Sequence, residues 1–258
     1  MRDLLNQLDE NRSDPMQAAR QAMRAPLPRR FYRDVDVTEL DGQYGVRLDR
    51  KPVKTPAKRP LALPSQAAAE LAATEFREQE KVVDPLTMPV TRIANTTIDG
   101  VADNLQAVME DIVKFAASDL LCYRADSPVA LVERESQAWD PLLDWMRDSI
   151  GANFILVEGV MPAAQPREAV AAFANRLRFH GEPFRVACIH TMTSLTGSAI
   201  AALAVAETFM SAQDVWQAAH VDEDWNIEQW GQDDLASERR RLRHSEFTAA
   251  ANLLKAIG

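Results

Sequence analysis

Hydrophobic periodicity changes once along the chain, and this change constrains the fold more than any other feature of the sequence. Between residues 31 and 49 apolar and polar residues alternate roughly as they do in β-strands, and Asp41-Gly42 is a strong hairpin-turn signal. Prolines interrupt regular structure after residue 55, and a helix with Ser65 as its N-cap is predicted to run to about Lys81. A small antiparallel sheet needs such a helix to cover one of its faces.

Beyond Asp99-Gly100 the apolar residues recur at the 3.6-residue period of helices. The first helix presents one apolar face, made by Leu105, Val108, Met109, Ile112, Phe115 and Ala116. Further helices are predicted at about 132–150, 167–180, 184–195, 198–210, 212–223 and 235–256, and a short strand at 153–157.

These patterns predict an α+β fold, with a small β-rich N-terminal domain followed by an all-α helical C-terminal domain. The predicted boundaries are a mobile N-terminal arm at 1–28, a β-rich domain with one covering helix at 29–98, and a helical domain at 99–258. The arm is set apart by Pro26 and Pro28, and its acidic residues are atypical of an export signal.

Charge and cysteine content narrow the class of function. The formal net charge of −9 argues against nucleic-acid binding, which needs a basic face. Only two cysteines, Cys122 and Cys188, are present, which indicates a reducing compartment. We therefore expect a cytoplasmic bacterial protein, with the mitochondrial matrix as the alternative. No apolar run reaches the roughly 18–20 residues of a membrane span, so no membrane insertion is predicted.

The sequence contains no recognisable catalytic or cofactor motif. Its nine glycines are scattered and form neither a phosphate-binding loop nor a dinucleotide fingerprint. Cys188 and His190 stand two positions apart on a predicted helix, so their side chains diverge. Asp119 continues an apolar helix face, with Tyr123 as its predicted hydrogen-bond partner and Arg124 nearby, and a structural role is favoured over a catalytic one. We expect no cofactor, no metal and no enzymatic activity.

The charge distribution gives the strongest functional signal. No lysine or arginine occurs from Val186 to Glu238, whereas nine acidic residues do, and three of the five tryptophans stand among them. Aromatic anchors next to charges that steer encounter are typical of a partner surface. The predicted partner-binding residues are Trp216, Asp222, Glu223, Asp224, Trp225, Glu228, Trp230, Asp233 and Asp234.

Two alternative interpretations of this segment stay open. The tryptophans could belong to the core while the acids form a solvated helix face, and the following arginines at 239–243 could neutralise the acids locally. His220 stands beside Asp222, Glu223 and Asp224, but successive positions on a helix point in different directions, which argues against a metal or acid–base site.

Several sequence strings, taken together, resemble the F-type ATP synthase assembly chaperone family that handles the alpha subunit. They are RFY (30–32), LDRKPVKTP (48–56), PLTMP (85–89) with TRIAN (91–95), DLLCYR (119–124), WDPLLDW (139–145), TGS (196–198) and DEDWNIEQWG (222–231). The chain departs from the family pattern at Glu75-Phe76, where Glu-Trp is usual. It departs again after Gly231, where Gln232, Asp233, Asp234 and Leu235 replace further glutamates.

The resemblance implies a β-rich domain joined to a helical domain, without cofactor or turnover. It also implies that the chain binds the unassembled alpha subunit and shields the surface that later meets the beta subunit. We expect a monomer. Two other functions are considered: a hydrolase that uses Asp119 or the cluster at Asp222–Asp224, and a generic acidic adaptor.

Overall fold

The computed structural model describes residues 27–159 and 163–258. The predicted N-terminal arm, residues 1–28, lies outside the described residues except for Leu27 and Pro28. Within the described ranges the architecture is a small antiparallel sheet followed by a mostly helical body, which confirms the predicted α+β class.

The N-terminal sheet is built on a hairpin. Strands β1 (Val35–Leu40) and β2 (Gln43–Leu48) pair antiparallel, with Val37 opposite Val46. The turn between them has positive φ at Asp41 (50°) and Gly42 (78°), as the Asp-Gly signal predicted. Two short strands complete the sheet by pairing with β2. The strands are β1 Val35–Leu40, β2 Gln43–Leu48, β3 Lys51–Pro52 and β4 Ala62–Leu63.

One helix, α1 (Gln66–Glu78), covers this sheet. The Ser65 hydroxyl accepts a hydrogen bond from the Ala68 backbone N–H at 3.0 Å, which confirms the predicted N-cap. Small alanine side chains let the helix lie close to the sheet, and four of them are fully buried: Ala68, Ala69, Ala72 and Ala73. The Ser65 hydroxyl also donates to the Ala256 carbonyl at 2.7 Å, which links α1 to the last helix of the chain.

The rest of the described chain is mainly helical. Helix α6 (Pro183–Thr196) lies at the centre and packs against α3 (Leu105–Ala116), α7 (Ala199–Ala206) and α10 (Asp234–Ile257). Helix α10 also packs against α1 and against α2 (Pro89–Thr96). A two-residue parallel pair, β5 with β6, lies among the helices, and β6 begins where the predicted strand ends. The elements are α2 Pro89–Thr96, α3 Leu105–Ala116, β5 Tyr123–Arg124, α4 Val129–Trp145, β6 Val157–Glu158, α5 Arg167–Leu177, α6 Pro183–Thr196, α7 Ala199–Ala206, α8 Ala212–Ala219, α9 Val221–Trp230 and α10 Asp234–Ile257.

The sheet and the helical body share one continuous cluster of buried apolar residues. The chain crosses from one to the other through a π-helical turn, Thr97–Val101, that follows α2 directly. Asp99 in this turn accepts hydrogen bonds from the Thr55 hydroxyl (2.6 Å) and from the Ala57 N–H (2.9 Å). The turn is thereby fixed to the sheet.

The predicted helix at 212–223 is in fact two helices, α8 and α9, which are separated at His220. The residue leaves helical geometry with φ −119°, and its imidazole Nδ1 lies 2.7 Å from the Trp216 carbonyl oxygen. That carbonyl is the one that a continuing helix would bond through the backbone N–H of residue 220. The His220 side chain takes the place of this N–H, and α8 ends here.

Candidate partner-binding surface

Helix α9, the connection 231–233 and the first turn of α10 form an acidic corner on the helical body. Helix α9 has no fully buried residue. Trp230, at its last position, is 86% exposed, more than any other large apolar side chain in the described residues, and Leu235 is 74% exposed. Single exposed apolar side chains are common, whereas clusters of them with a polar rim mark sites of interaction. Trp230 and Leu235 lie close together in the chain and have acidic neighbours.

The three tryptophans of the acidic segment occupy three different environments. Trp216 in α8 is only 4% exposed and packs against the rings of His220, His244 and Phe247, at centroid distances of 3.8, 4.9 and 5.3 Å. A ring in this position cannot reach a partner, which removes Trp216 from the predicted surface. The alternative interpretation, a core tryptophan, is confirmed for this residue.

Trp225 stands between the core and the surface. The Arg134 guanidinium of α4 lies over its ring, 5.0 Å from the centroid, and the same side chain forms an ion pair with Glu228 at 2.7 Å. Arg134 therefore attaches two residues of α9 to α4, through a cation–π contact and a charge pair. Trp230 is the tryptophan that remains exposed.

Some acids of the segment 186–238 have partners within the chain, among them the predicted partner-binding residue Asp224. Asp224 forms an ion pair with Arg240 at 2.5 Å, and Glu238 pairs with Arg241 at 2.7 Å. Local neutralisation by the arginine cluster is thus confirmed for these two acids. Asp233 is the N-cap of α10, where its carboxylate accepts from the Ala236 N–H at 2.7 Å.

Other acids of the corner keep their charge available. Among the described residues, Glu223 makes no ion pair with lysine or arginine; its nearest titratable partner is His220, at 3.9 Å, and Arg240 lies close enough to feel its charge. Burial holds the pKa of the His220 imidazole below its ordinary value, so the ring stays neutral at neutral pH. Asp234 is exposed and makes no ion pair within the described ranges. Trp230, Leu235, Glu223 and Asp234 are therefore the side chains of the acidic corner best placed to meet a partner.

Asp222 faces inward and meets Glu135, a residue that sequence reasoning missed. Glu135 of α4 is 1% exposed and accepts from the Ala125 N–H at 2.9 Å. Burial raises the pKa of Glu135 to about 7, a shift that the Ala125 hydrogen bond opposes and the Asp222 carboxyl group increases. A sequence signal existed, because Glu135 continues the buried face of Trp139, Leu142 and Met146 at helical spacing.

A groove runs beside the acidic corner, between α4 and the pair α8–α9. Its volume is about 550 Å³. Apolar side chains and acidic groups share its lining, among them Ala138, Met210, Val221, Asp214, Asp224 and Glu228. The groove extends the acidic and apolar character of the corner towards the body of the protein.

Asp119 is fully buried and structural. It starts a 3₁₀ turn and caps α7, accepting from the Ile200 N–H at 3.0 Å and from the Leu121 N–H at 3.2 Å. Burial raises the pKa of Asp119 to about 6, against the effect of these hydrogen bonds. The predicted partner Tyr123 was wrong, because α3 ends at Ala116 and helical spacing does not apply to the following residues.

The remaining candidates for chemistry are also engaged in packing. Cys188 is fully buried, and burial raises the pKa of its thiol to about 12. His190 lies with Nε2 3.1 Å from Asp111 Oδ2. Within residues 27–159 and 163–258, no group of three or more His, Cys, Asp or Glu side chains is placed to hold a metal ion. Across the same residues, no helix is both long and apolar enough to cross a bilayer.

Comparison with known proteins defines the class to which this fold and surface belong. A model of the ATP12 chaperone protein family matches residues 29–147. The crystal structure of the Atu1473 protein of Agrobacterium tumefaciens is 52% identical, with a TM-score of 0.87 and coverage of 100% of this chain and 97% of that one. Atp12 of Paracoccus denitrificans is 32% identical, with a TM-score of 0.82 and coverage of 90% and 99%.

A variant of the Paracoccus protein, in which one aspartate is replaced by lysine, matches this chain with the same identity and TM-score, 32% and 0.82, over 90% of this chain and 98% of that one. The Paracoccus fold therefore tolerates a charge reversal at one acidic position. These similarities identify a chaperone. The chain belongs to the ATP12 family of ATP synthase assembly chaperones.

Proposed function

We propose that the chain binds the unassembled alpha subunit of F-type ATP synthase and shields its subunit interface from aggregation until the catalytic head assembles. It acts in the cytoplasm as a monomer, by stoichiometric binding rather than by turnover. The observation that carries this proposal is Trp230, which is 86% exposed within a stretch of 53 residues, 186–238, that contains nine acids and no lysine or arginine.

The acidic corner supplies both parts of a protein-binding surface. Trp230 and Leu235 offer apolar area that water solvates poorly, and aromatic anchors of this kind dominate the energy of many interfaces. Glu223 and Asp234 supply negative charge, which steers encounter and selects a basic partner. The complementary surface on the alpha subunit is therefore apolar with a basic rim.

The same chemistry explains how a client would be held and later released. An unassembled subunit exposes apolar area that its neighbour covers in the complete complex, and such area aggregates when free. The chaperone covers this area without consuming a cofactor. Release follows when the beta subunit competes for the same surface with a larger interface.

The test is whether purified chain keeps isolated alpha subunit in solution at stoichiometric amounts, without nucleotide, and elutes with it in gel filtration. Absence of both effects would contradict the proposal. Glu223→Lys is expected to weaken the holding of the alpha subunit and to leave the melting temperature nearly unchanged, because the side chain is at the surface.

Matched controls separate the acidic corner from general surface effects. Glu78→Lys makes the same charge change at the exposed end of α1, and Phe179→Ala removes another aromatic ring that is 80% exposed. Both variants are expected to hold the alpha subunit as the parent protein does. If they weaken holding as much as Glu223→Lys, the acidic corner is not the docking site.

A further inference from the structure

Few contacts hold helix α9 to the rest of the protein. None of its residues is fully buried. On its outer part Arg134 contacts Trp225 and Glu228, and Arg240 pairs with Asp224. In its first turn the contact is different, because Asp222 meets the buried carboxyl group of Glu135.

The surroundings of this carboxyl pair favour one hydrogen atom shared between the two groups. One oxygen of Glu135, Oε2, accepts from the Ala125 N–H at 2.9 Å. Oδ1 of Asp222 is buried and has no hydrogen-bond donor within the described residues. Two ionised carboxylates that face each other away from water repel strongly, whereas one shared proton turns the repulsion into an O–H···O hydrogen bond.

The nearest cation does not neutralise the pair. Arg124 of β5 is buried, but its Nη2 binds Asp140 at 2.7 Å and its Nε donates to the Leu121 carbonyl at 3.2 Å. Its charge is thus already matched by Asp140. The pair therefore depends on the proton.

We propose that Glu135 is a positioning residue for the partner-binding helix: Glu135 and Asp222 share one proton, and this proton holds the first turn of α9 against α4. Loss of the proton places two negative charges in the contact and loosens α9. The effect on client binding rests on the proposed function of the acidic corner, whereas the effect on α9 itself does not.

The charged groups around the contact give the direction of the pH dependence. Glu135 is faced by Arg124 from β5 and Asp222 from α9, and the pKa of Glu135 is raised to about 7 by burial and by Asp222. At the start of α9, His220 is faced by Glu223 and by Arg240 and Arg243 of α10, and burial lowers its pKa, so the ring stays neutral between pH 7 and pH 8. Rising pH over this range therefore acts on the carboxyl pair rather than on His220.

Hydrogen exchange of the α9 amides, corrected for intrinsic rates, tests the proton directly. Between pH 7 and pH 8, protection of α9 relative to α10 is expected to fall about fivefold, because a group with a pKa of about 7 keeps its proton in about half of the molecules at pH 7 and in roughly one in ten at pH 8. Glu135→Gln should abolish this dependence. Its amide oxygen can still accept from Ala125, and its N–H₂ group donates permanently to Asp222.

Two further variants make the result decisive. Asp222→Asn supplies the same permanent hydrogen bond from the other side and is also expected to give pH-independent protection of α9. Glu133→Gln removes an exposed carboxylate two positions away on α4 and should keep the parent dependence. The proposal is overturned if α9 of the parent protein shows no pH dependence, or if the Gln and Asn variants keep it.

Affinity for the alpha subunit gives the functional readout. The Kd of the parent protein is expected to rise about fivefold from pH 7 to pH 8, whereas the Kd of Glu135→Gln should not change over this range. If no variant binds the alpha subunit at any pH while α9 exchange behaves as expected, the proposed function fails and the shared proton stands. If binding occurs with the same pH dependence in both proteins, the shared proton does not position the surface.

Discussion

Helices α8 and α9 follow each other in the chain, and both carry tryptophan and acidic residues, yet they have opposite places in the fold. Helix α8 buries Val215, Trp216 and Ala218, and its Ala218 carbonyl accepts a hydrogen bond from Trp139 Nε1 at 2.7 Å. Helix α9 buries no residue completely and ends at the exposed Trp230. Both helices combine tryptophan with acidic residues, but only α8 contributes its tryptophan to the core.

The difference shows what separates a core tryptophan from an exposed one. The ring of Trp216 is enclosed by aromatic residues from α10 and from the junction, so its burial stabilises the monomer. Trp230 contributes no comparable burial. An exposed aromatic ring does not stabilise the monomer, and it contributes energy only when another chain buries it. Such a ring is expected at a binding surface.

The largest expected effect concerns Trp216, the buried tryptophan. Trp216→Ala should lower the free energy of unfolding by about 3–5 kcal/mol, because it leaves a cavity in the core between α8 and α10. Urea denaturation measures this change. A loss below about 1 kcal/mol would show that the ring is less enclosed than described.

Trp230, the exposed tryptophan, should behave in the opposite way. Trp230→Ala is expected to change the free energy of unfolding by less than about 0.5 kcal/mol. It should weaken binding of the alpha subunit by about 2 kcal/mol, roughly 30-fold in Kd, as loss of an aromatic anchor does. Titration of the two proteins measures the affinity, and unchanged affinity would remove Trp230 from the docking site.

The N-cap of α10 allows a test of intermediate size. Asp233→Ala removes the acceptor for the Ala236 N–H and should destabilise the start of α10 by about 1 kcal/mol. Asp233→Asn can still accept this hydrogen bond and should recover most of the loss. If both variants are equally impaired in binding but not in stability, Asp233 contacts the client directly.

The smallest effect should come from His220, which separates the two helices. Burial lowers the pKa of this imidazole, so the unfolded chain binds a proton more readily than the folded one. The neutral imidazole therefore contributes fully to the free energy of unfolding above pH 6.5, the ordinary pKa of histidine. This contribution is lost as the pH falls below that value. Denaturation curves at pH 7 and pH 5 measure the loss in the free energy of unfolding between the two pH values. We expect this loss to be smaller in His220→Asn than in the parent protein, by less than about 1 kcal/mol.

Local features of the structure were predictable from the sequence. The Asp41-Gly42 turn and the Ser65 cap depend on neighbouring residues only, so pattern reasoning places them correctly. The change from strand to helical periodicity likewise predicts the α+β class. The acidic corner was located by charge, a property that the chain displays without knowledge of the fold.

Other features depend on contacts between distant parts of the chain. Asp119 caps a helix that begins 80 residues later, and Glu135 meets a carboxylate 87 positions away, so neither partner is visible in a local pattern. The break at His220 requires a side chain to compete for a backbone carbonyl. Which tryptophan is buried is decided by α10, which folds back over α8.

The hydrogen bond from Ser65 to the carbonyl of Ala256 joins residues that are 191 positions apart. On a ribosome, the helix that covers the sheet is made early, but its cap finds this partner only after residue 256 has left the exit tunnel. Closure of so long a loop is an entropic barrier that local structure does not lower. The fold of this assembly chaperone is thus itself incomplete until residue 256 has been synthesised.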